Sequence, residues 1–161
     1  NFHREIYLWL FDFLVMANLQ FSIKSHLKPE KLMSFIIDFE YYKKFFPGQI
    51  KDIKILDRQN GAIITQESII FTSLLKSSFV QKSRHKLVSD KELLTEIIEG
   101  PAKGSVISVK CVENDQGSEA KFDADLKLSL KAKFLRPLIK KFYTRYLTAI
   151  IYKINSRDME Q

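Results

Sequence analysis

The chain has 161 residues and a formal net charge of +7, with 45% hydrophobic and 28% charged residues. This composition is typical of one folded domain and excludes a disordered chain. Cys111 is the only cysteine, which excludes an internal disulfide and a cysteine-based metal site. We therefore expect a cytoplasmic protein with no metal or other cofactor. The positive charge favours an anionic partner, such as a membrane surface, nucleic acid or the ribosome.

The N-terminal segment, residues 1–17, is strongly apolar. The stretch "IYLWLFDFLVMANL" is too short for a membrane span of about twenty residues and contains Asp12. The cationic start and cleavage site of a signal peptide are not clear. Since Met16 stands just before the first predicted strand, we expect that residues 1–15 are not part of the functional fold. Otherwise they form a short helix on the protein or on a membrane. Residues 18–157 are expected to form a single domain.

Apolar and polar residues alternate along several segments, as in strands with one buried face. The predicted strands are 18–27, 49–58, 62–73, 78–88, 92–99, 104–113 and 119–130. Tight turns are indicated by "RQNG", "VSDK" and "NDQGS". After the first strand, Pro29 and the spacing of "EKLMSFIIDF" predict a short helix. Asp38 then caps a second short helix, which Pro47 and Gly48 end.

The last predicted element is a long amphipathic helix. Apolar pairs recur every four residues over about 134–156, and Pro137 is tolerated only in the first turn of this helix. The order of elements predicts an α+β fold. In it, a seven-stranded curved antiparallel sheet wraps around the C-terminal helix, with two short helices after the first strand.

One strand, "SFVQKSRHKLV", directs polar side chains toward the interior. Its inward positions are Phe79, Gln81, Ser83, His85 and Leu87. Buried polar groups need partners. These groups either bond to one another, to the backbone or to water, or they orient a ligand, with His85 bonded to a quinone-type carbonyl.

Glu67 is a further candidate, although the inward face of strand 62–73 stays open because both of its faces mix apolar and polar residues. His85 with Glu67 is the only titratable pair that the sequence offers for acid–base catalysis. No phosphate loop, GxSxG, HExxH or CxxC motif is present. The sequence therefore favours a binding protein over an enzyme and assigns no catalytic residue.

Connections in an antiparallel meander lie at alternate ends of the sheet. This rule groups "FFPG", "SLLKS", "GPAKG" and "KAKFLR" at one end, where apolar residues are fringed by lysines. The aromatic cluster "DFEYYKKFFPG" at this end either plugs the core or forms the movable rim of a cavity. Contact with an anionic membrane is predicted for Leu74, Leu75, Lys76, Lys133, Phe134 and Arg136.

The order of elements, the stretches "DFEYYKKFFPGQIKDIKIL" and "IIEGPAKGSVISVKCVEND", and the final helix resemble the START/polyketide-cyclase-like superfamily (SRPBCC, helix-grip fold). The resemblance covers about residues 18–156 and is nearest to the coenzyme-Q-binding and polyketide cyclase/dehydrase group. It implies a deep apolar cavity between sheet and helix, used mostly for lipids, quinones, polyketides or hormones. No residue set marks one subgroup.

These observations together predict a carrier or binding protein for an apolar ligand, such as a lipid, an isoprenoid quinone or a polyketide-like molecule. The alternatives are a polyketide cyclase/dehydrase-type enzyme and a ribosome-associated member of the same family. The predicted ligand-binding residues are Phe39, Tyr42, Phe45, Phe46, Phe71, Phe79, Gln81, Ser83, His85, Phe122, Leu138, Phe142 and Tyr146.

Overall fold

The computed structural model describes residues 16–45, 50–71, 77–127 and 136–159. Its elements are β1 (Met16–Ser25), α1 (Pro29–Ile36), α2 (Phe39–Phe45), β2 (Ile50–Gln59), β3 (Ala62–Phe71), β4 (Ser77–Ser89), β5 (Glu92–Glu99), β6 (Val106–Asn114), β7 (Gly117–Lys127) and α3 (Arg136–Met159). This is the predicted order. The first strand starts two residues earlier than predicted, at Met16. The predicted strand ends at 72–73 and 128–130 lie outside the described residues, as does the N-terminal segment 1–15.

The seven strands form one sheet in the order β1-β7-β6-β5-β4-β3-β2. Every neighbouring pair is antiparallel. The two short helices α1 and α2 connect β1 to β2, which lie at opposite edges of the sheet. The turn between β2 and β3 uses Asn60 and Gly61, both with positive φ, at 51° and 74°. An Asn-Gly pair is suited to this left-handed turn conformation. The predicted fold, a seven-stranded antiparallel sheet with a C-terminal helix, is confirmed.

The C-terminal helix supplies one side of the core. Its described side chains Leu147, Ile150, Ile151 and Ile154 are buried at helical spacing, and α3 packs against β1 and α1. Pro137 is the second residue of this helix, where its missing N–H leaves no helical hydrogen bond unmade. The apolar periodicity therefore predicts the face of the helix correctly wherever side chains are described.

The strands β1, β7 and β6 present an apolar inner face. In β7 the buried residues Ala120, Phe122, Ala124 and Leu126 alternate with the exposed Lys121 and Asp123. Phe21 of β1 lies opposite Phe122, and their rings stack with centroids 4.9 Å apart. We call the inner face of these three strands the apolar wall.

The pairing between β4 and β5 changes register twice. In the central section His85 lies opposite Thr95. Beyond it, Lys82 opposite Glu99 and Ser89 opposite Glu92 are each displaced by one residue. Such one-residue offsets are what a β-bulge produces. Between the two shifts, the inward residues of β5 are therefore Leu93, Thr95 and Ile97, rather than the residues beside them.

The second shift also corrects one sequence-based expectation. The alternation along β4 predicts that Leu87 points inward, but this side chain is 41% exposed. It is the last residue paired before the register changes between Leu87 and Ser89. Because the strand deviates there, the period-two pattern no longer predicts which side chains are buried.

Candidate functional site: a cavity with one polar wall

A cavity of about 70 Å³ lies between the inner face of the sheet, the α1–α2 region and α3. Its described lining is mostly aliphatic and aromatic, with polar side chains from β3, β4 and β5. The lining residues are Ile36, Phe39, Tyr42, Ile53, Glu67, Gln81, Ser83, His85, Leu93, Thr95, Ile107, Val109, Phe122, Leu147 and Ile150. Such a concave, largely apolar space with a few convergent polar groups is the usual form of a small-molecule site.

The polar side chains meet because strand pairing places them side by side. The directly opposed pairs are Glu67 with Gln81, Thr65 with Ser83, and His85 with Thr95. All of them except the half-buried Thr95 are buried. Opposed residues of an antiparallel pair share one face of the sheet, and diagonal neighbours are also within reach. We call the inner face of β3, β4 and β5 the polar wall.

A first chain of hydrogen bonds runs from Thr95 to Glu67. The Thr65 hydroxyl donates to Glu67 Oε1 over 2.6 Å, and the same Thr65 oxygen lies 2.8 Å from His85 Nε2. A hydroxyl has one proton, so Nε2–H of His85 must be the donor to Thr65. His85 Nδ1 is 2.8 Å from Thr95 Oγ1. In a neutral imidazole this nitrogen is an acceptor, and the Thr95 hydroxyl donates to it.

A second chain reaches the same carboxylate from the other side. The Gln81 side-chain amide donates to Ser83 Oγ over 3.3 Å, and Ser83 Oγ donates to Glu67 Oε2 over 3.3 Å. Glu67 is 5% exposed and His85 7% exposed, and His85 Nε2 lies 3.7 Å from Glu67 Oε1. A buried carboxylate is costly unless hydrogen-bond donors compensate for the lost water. Both chains provide such donors, and both end at Glu67.

Aromatic rings of α2 cover this polar wall. The Phe39 ring stacks on the His85 imidazole with centroids 4.2 Å apart and an angle of 30° between the planes. Tyr42 packs edge-on against Phe39 at 5.6 Å. The second short helix therefore closes the cavity directly above the histidine.

The Tyr42 phenol is held by the backbone. Its hydroxyl donates a hydrogen bond to the carbonyl of Ile36 at the end of α1. Burial raises the pKa of Tyr42 far above its ordinary value, and the negative charges of Asp38 and Glu67 raise it further. Tyr42 is thus a neutral, fixed part of the cavity surface.

Arg157 fastens the helix pair to the C-terminal helix. Its guanidinium lies 3.0 Å from Asp38 Oδ2, 3.5 Å from the centroid of the Tyr41 ring and 4.5 Å from that of Phe35. An arginine that combines an ion pair with ring stacking fixes its partners in one geometry. This contact holds the α1–α2 junction, and hence Phe39, over the cavity.

The structure brings some of the predicted ligand-binding residues together. Those that line the cavity are Phe39, Tyr42, Gln81, Ser83, His85 and Phe122. Phe79 is half-buried on β4 and is not among the described lining residues. The remaining predictions, whose side chains lie outside the described residues, are Phe45, Phe46, Phe71, Leu138, Phe142 and Tyr146. A role of any of these residues in ligand binding stays a prediction.

Sequence analysis missed the two threonines that flank His85. Thr65 and Thr95 occupy both ring nitrogens of the histidine. A hydrogen bond from His85 to a ligand carbonyl stays a prediction, and a carbonyl would first have to displace a threonine hydroxyl to form it. The open question about β3 is answered by burial, since Thr65, Glu67 and Ile69 face inward.

The predicted membrane-contact residues lie largely beyond what is described. Leu74, Leu75, Lys76, Lys133 and Phe134 are outside the described residues, and only the backbone of Arg136 is described. Within the described part of the chain, no helix is long and apolar enough to cross a membrane. The same part contains no group of three or more His, Cys, Asp or Glu side chains that could hold a metal ion.

Comparisons with known proteins show similarity in structure. No protein-family model matches the sequence, and a search of the curated proteins also finds no match. A START superfamily protein from Mycobacterium smegmatis superposes with a TM-score of 0.67 at 18% identity, over 88% of this chain and 95% of the other. The Zhui aromatase/cyclase from a Streptomyces species gives 0.72 at 12% identity, over 88% and 95%.

Norcoclaurine synthase from Thalictrum flavum, solved in complex with dopamine and hydroxybenzaldehyde, gives a TM-score of 0.71 at 14% identity. This match covers 91% of this chain and 88% of the synthase. Two di-domain aromatase/cyclases also match, and the chain spans 55% and 50% of their lengths. Taken with the seven-stranded sheet and the C-terminal helix, these similarities show that the chain has the helix-grip α+β fold of START superfamily proteins and polyketide aromatase/cyclases.

Proposed function

We propose that this protein binds a small apolar molecule in the cavity between the sheet and α3. The observation that carries the proposal is the division of the cavity into an apolar wall and a polar wall. Apolar surface gives affinity without bond formation, at about 0.8 kcal/mol for each buried methylene. The few polar groups then orient one end of the ligand. START superfamily proteins and aromatase/cyclases share this fold, which supports a small hydrophobic partner.

The size of the cavity restricts the ligand. An engineered cavity of about 150 Å³ takes up benzene, and the present cavity is about 70 Å³. At less than half of that volume, the cavity admits a single ring only if it widens, and a complete isoprenoid chain requires it to widen much further. Of the predicted ligand classes, the volume therefore favours a single ring, or the polar head of a quinone or polyketide-like molecule, as the part that reaches the polar wall.

Extraction and mass analysis of the purified protein test this proposal. We expect native mass spectrometry to find an apolar molecule that co-purifies with the protein. The Val109→Phe variant fills the cavity from β6, where Val109 is buried, and should lose this molecule. Val112→Phe makes the same change on the same strand at a residue that is 42% exposed, and it should keep the molecule.

Overpacking costs about 1–3 kcal/mol, so circular dichroism must first show that Val109→Phe is folded. A folded filling variant that binds as well as the unchanged protein would overturn the proposal.

A second candidate function is catalysis of the cyclase/dehydrase type. It is favoured by the connection of His85 to Glu67 through Thr65, because linked titratable groups that line a cavity can move a proton. His85→Ala separates the two functions. A binding protein should keep most of its affinity for the apolar ligand after this change, whereas an enzyme should lose turnover of a polyketide-like substrate by a factor of about 10²–10⁴.

We also propose that the protein makes transient contact with an anionic membrane surface. It rests on the sequence pattern around Leu74, Leu75 and Phe134 and on the net charge of +7. Co-flotation with vesicles that contain phosphatidylserine should succeed, and neutral vesicles should fail to bind. Ribosome association, the other predicted surface contact, should appear as salt-dependent cosedimentation if the basic residues of α3 bind RNA.

A further inference from the structure

The geometry points to a ligand that donates a hydrogen bond to Glu67 through a hydroxyl or ammonium group, rather than one that presents a carbonyl to His85. This inference rests on the proposed binding function and names the polar end of the ligand. It follows from the directions of the hydrogen bonds around Glu67, which engage the hydroxyl and imidazole protons beside the carboxylate and leave acceptor positions on its oxygens.

The donors nearest the carboxylate are already engaged within the protein. Thr65 and Ser83 each have one hydroxyl proton, and both protons go to Glu67. His85 gives its Nε2 proton to Thr65, and Thr95 gives its proton to His85 Nδ1 when the ring is neutral. If the ring is protonated instead, Nδ1–H is the donor to Thr95. In neither state does the imidazole have a further N–H for a ligand.

The Glu67 carboxylate, in contrast to these donors, has acceptor positions that the hydrogen bonds within the protein do not fill. An ionised carboxylate offers about four lone-pair positions on two oxygens. The hydrogen bonds from Thr65 and Ser83 occupy one position on each oxygen, and His85 Nε2 at 3.7 Å is too far for a third. Glu67 lines the cavity, so the remaining positions are accessible to a ligand.

The charge of the wall favours the same ligands. Glu67 is 5% exposed, and no lysine or arginine occurs among the described lining residues. A donor group on the ligand adds a charge-assisted hydrogen bond to this carboxylate. A carbonyl oxygen in the same place meets another acceptor and leaves both groups unpaired, which is the arrangement that binding sites reject most strongly.

The rest of the cavity favours a ring behind the donor group. Phe39 and Tyr42 cover the polar wall from α2, and Phe122 lines the cavity from the apolar wall. The inferred ligand class is therefore an aryl or alicyclic alcohol, or the corresponding amine. The alcohol presents an O–H donor and the amine an N–H donor, and binding of probes of each kind distinguishes the two classes.

Four single-ring probes test the inference on the full chain: phenol, benzylamine, toluene and anisole. Phenol and benzylamine carry a neutral and a cationic donor, toluene has no polar group, and anisole has an acceptor oxygen without a proton. Titration calorimetry should show phenol or benzylamine binding about tenfold or more tightly than toluene and anisole. Preference for phenol identifies the hydroxyl as the donor, and preference for benzylamine identifies the ammonium.

Glu67→Gln provides the matched variant. The amide keeps the shape of the side chain but replaces one acceptor oxygen by a donor NH₂, so the preference for donor probes should fall about tenfold. Glu119→Gln is the control, because Glu119 accepts a hydrogen bond from Ser22 on the outer face of the sheet. It should leave all four affinities unchanged.

The outcomes distinguish the inference from the proposed function. If toluene and anisole bind as tightly as phenol and benzylamine, and Glu67→Gln changes nothing, the inference is overturned while cavity binding stands. If none of the four probes binds and no molecule co-purifies, cavity binding is overturned and the inference with it. Retained preference in a folded Glu67→Gln variant also overturns the assignment to Glu67.

Discussion

The two walls of the cavity are built from the same kind of alternating strand but differ in what holds them together. On the apolar wall, Ala124 and Leu126 of β7 pack without polar partners and are fully buried. On the polar wall, Thr65 and Ser83 are as deeply buried, at 0% and 1% exposure, but each is part of a hydrogen-bond chain. Alternation therefore decides which side chains are buried, whereas the cross-strand partners decide whether a polar residue is tolerated there.

This difference predicts different roles for the walls. Burial of apolar surface is the main source of folding stability. Buried polar networks contribute little net stability, because their hydrogen bonds replace hydrogen bonds to water, but an incomplete network is costly. We therefore expect the apolar wall to set the stability of the fold, and the polar wall to set the choice of ligand.

Truncation of the apolar wall should have the largest effect. Leu126 is 0% exposed, and Leu126→Ala should lower the free energy of unfolding by about 2–5 kcal/mol. Leu56→Ala, at a residue that is 48% exposed, is the control and should cost much less. Urea denaturation of both variants measures the difference. Equal losses would mean that the apolar wall does not dominate stability.

Removal of the Thr65 hydroxyl should disrupt the hydrogen-bond network of the polar wall. Thr65→Val keeps the shape of the side chain but leaves His85 Nε2 and Glu67 Oε1 without their shared partner. We expect a loss of about 1–3 kcal/mol in the free energy of unfolding. Thr148→Val is the same change at an exposed position of α3 and should be near neutral. A near-neutral Thr65→Val would show that the network is not needed for folding.

The apolar wall should also respond to alkaline pH through Cys111. Burial raises the pKa of this thiol from 9.0 to about 12. Above pH 9 the unfolded chain loses the thiol proton while the folded chain keeps it, so the stability that is complete below pH 9 falls as pH rises. Denaturation between about pH 8 and pH 10 should show a loss of about 1 kcal/mol from this group.

Cys111→Ala should remove the part of the stability loss at alkaline pH that comes from the thiol, whatever other groups titrate over the same range. An unchanged pH dependence in this variant would contradict the raised pKa.

The smallest predicted effect on stability concerns Arg157, whose contacts with Asp38 and Tyr41 hold α1 and α2 over the cavity. Arg157→Lys keeps the charge opposite Asp38 but loses the flat group that stacks on Tyr41. We expect about 0.5–1 kcal/mol of destabilisation and faster exchange of ligand. Arg145→Lys, at an exposed position on the same helix, is the matched control. Stopped-flow measurement of ligand release compares the two, and equal rates would argue against a role of Arg157 in closing the cavity.

Much of the fold could be predicted from local patterns. In β7 the alternation from Ala120 to Leu126 is strict, because one face meets the core and the other meets water. The inward positions Gln81, Ser83 and His85 followed from the three basic residues that alternate with them, Lys82, Arg84 and Lys86, which must face solvent. The long helix followed from its four-residue repeat. Each of these signals depends only on neighbours in sequence.

The hydrogen-bond partners in the site could not be predicted in the same way. Threonine is tolerated on both faces of a strand, so nothing in the sequence marked Thr65 or Thr95. The partners of His85 depend on the register of β4 with β3 and with β5, and register is a relation between strands. A regular hairpin that pairs Ser89 with Glu92 would place His85 opposite Glu96, and only the register shift brings Thr95 there.

The two register shifts between β4 and β5 also decide whether a glutamate of β5 faces the cavity. As the strands are paired, Glu96 faces outward and forms an ion pair with Arg84 over 3.1 Å. Without the shifts it would enter the cavity beside Glu67, and Leu93 and Ile97 would turn toward solvent. Two carboxylates in so small a space would repel each other. Two local irregularities of one residue each therefore leave Glu67 as the one carboxylate among the described residues that line the cavity.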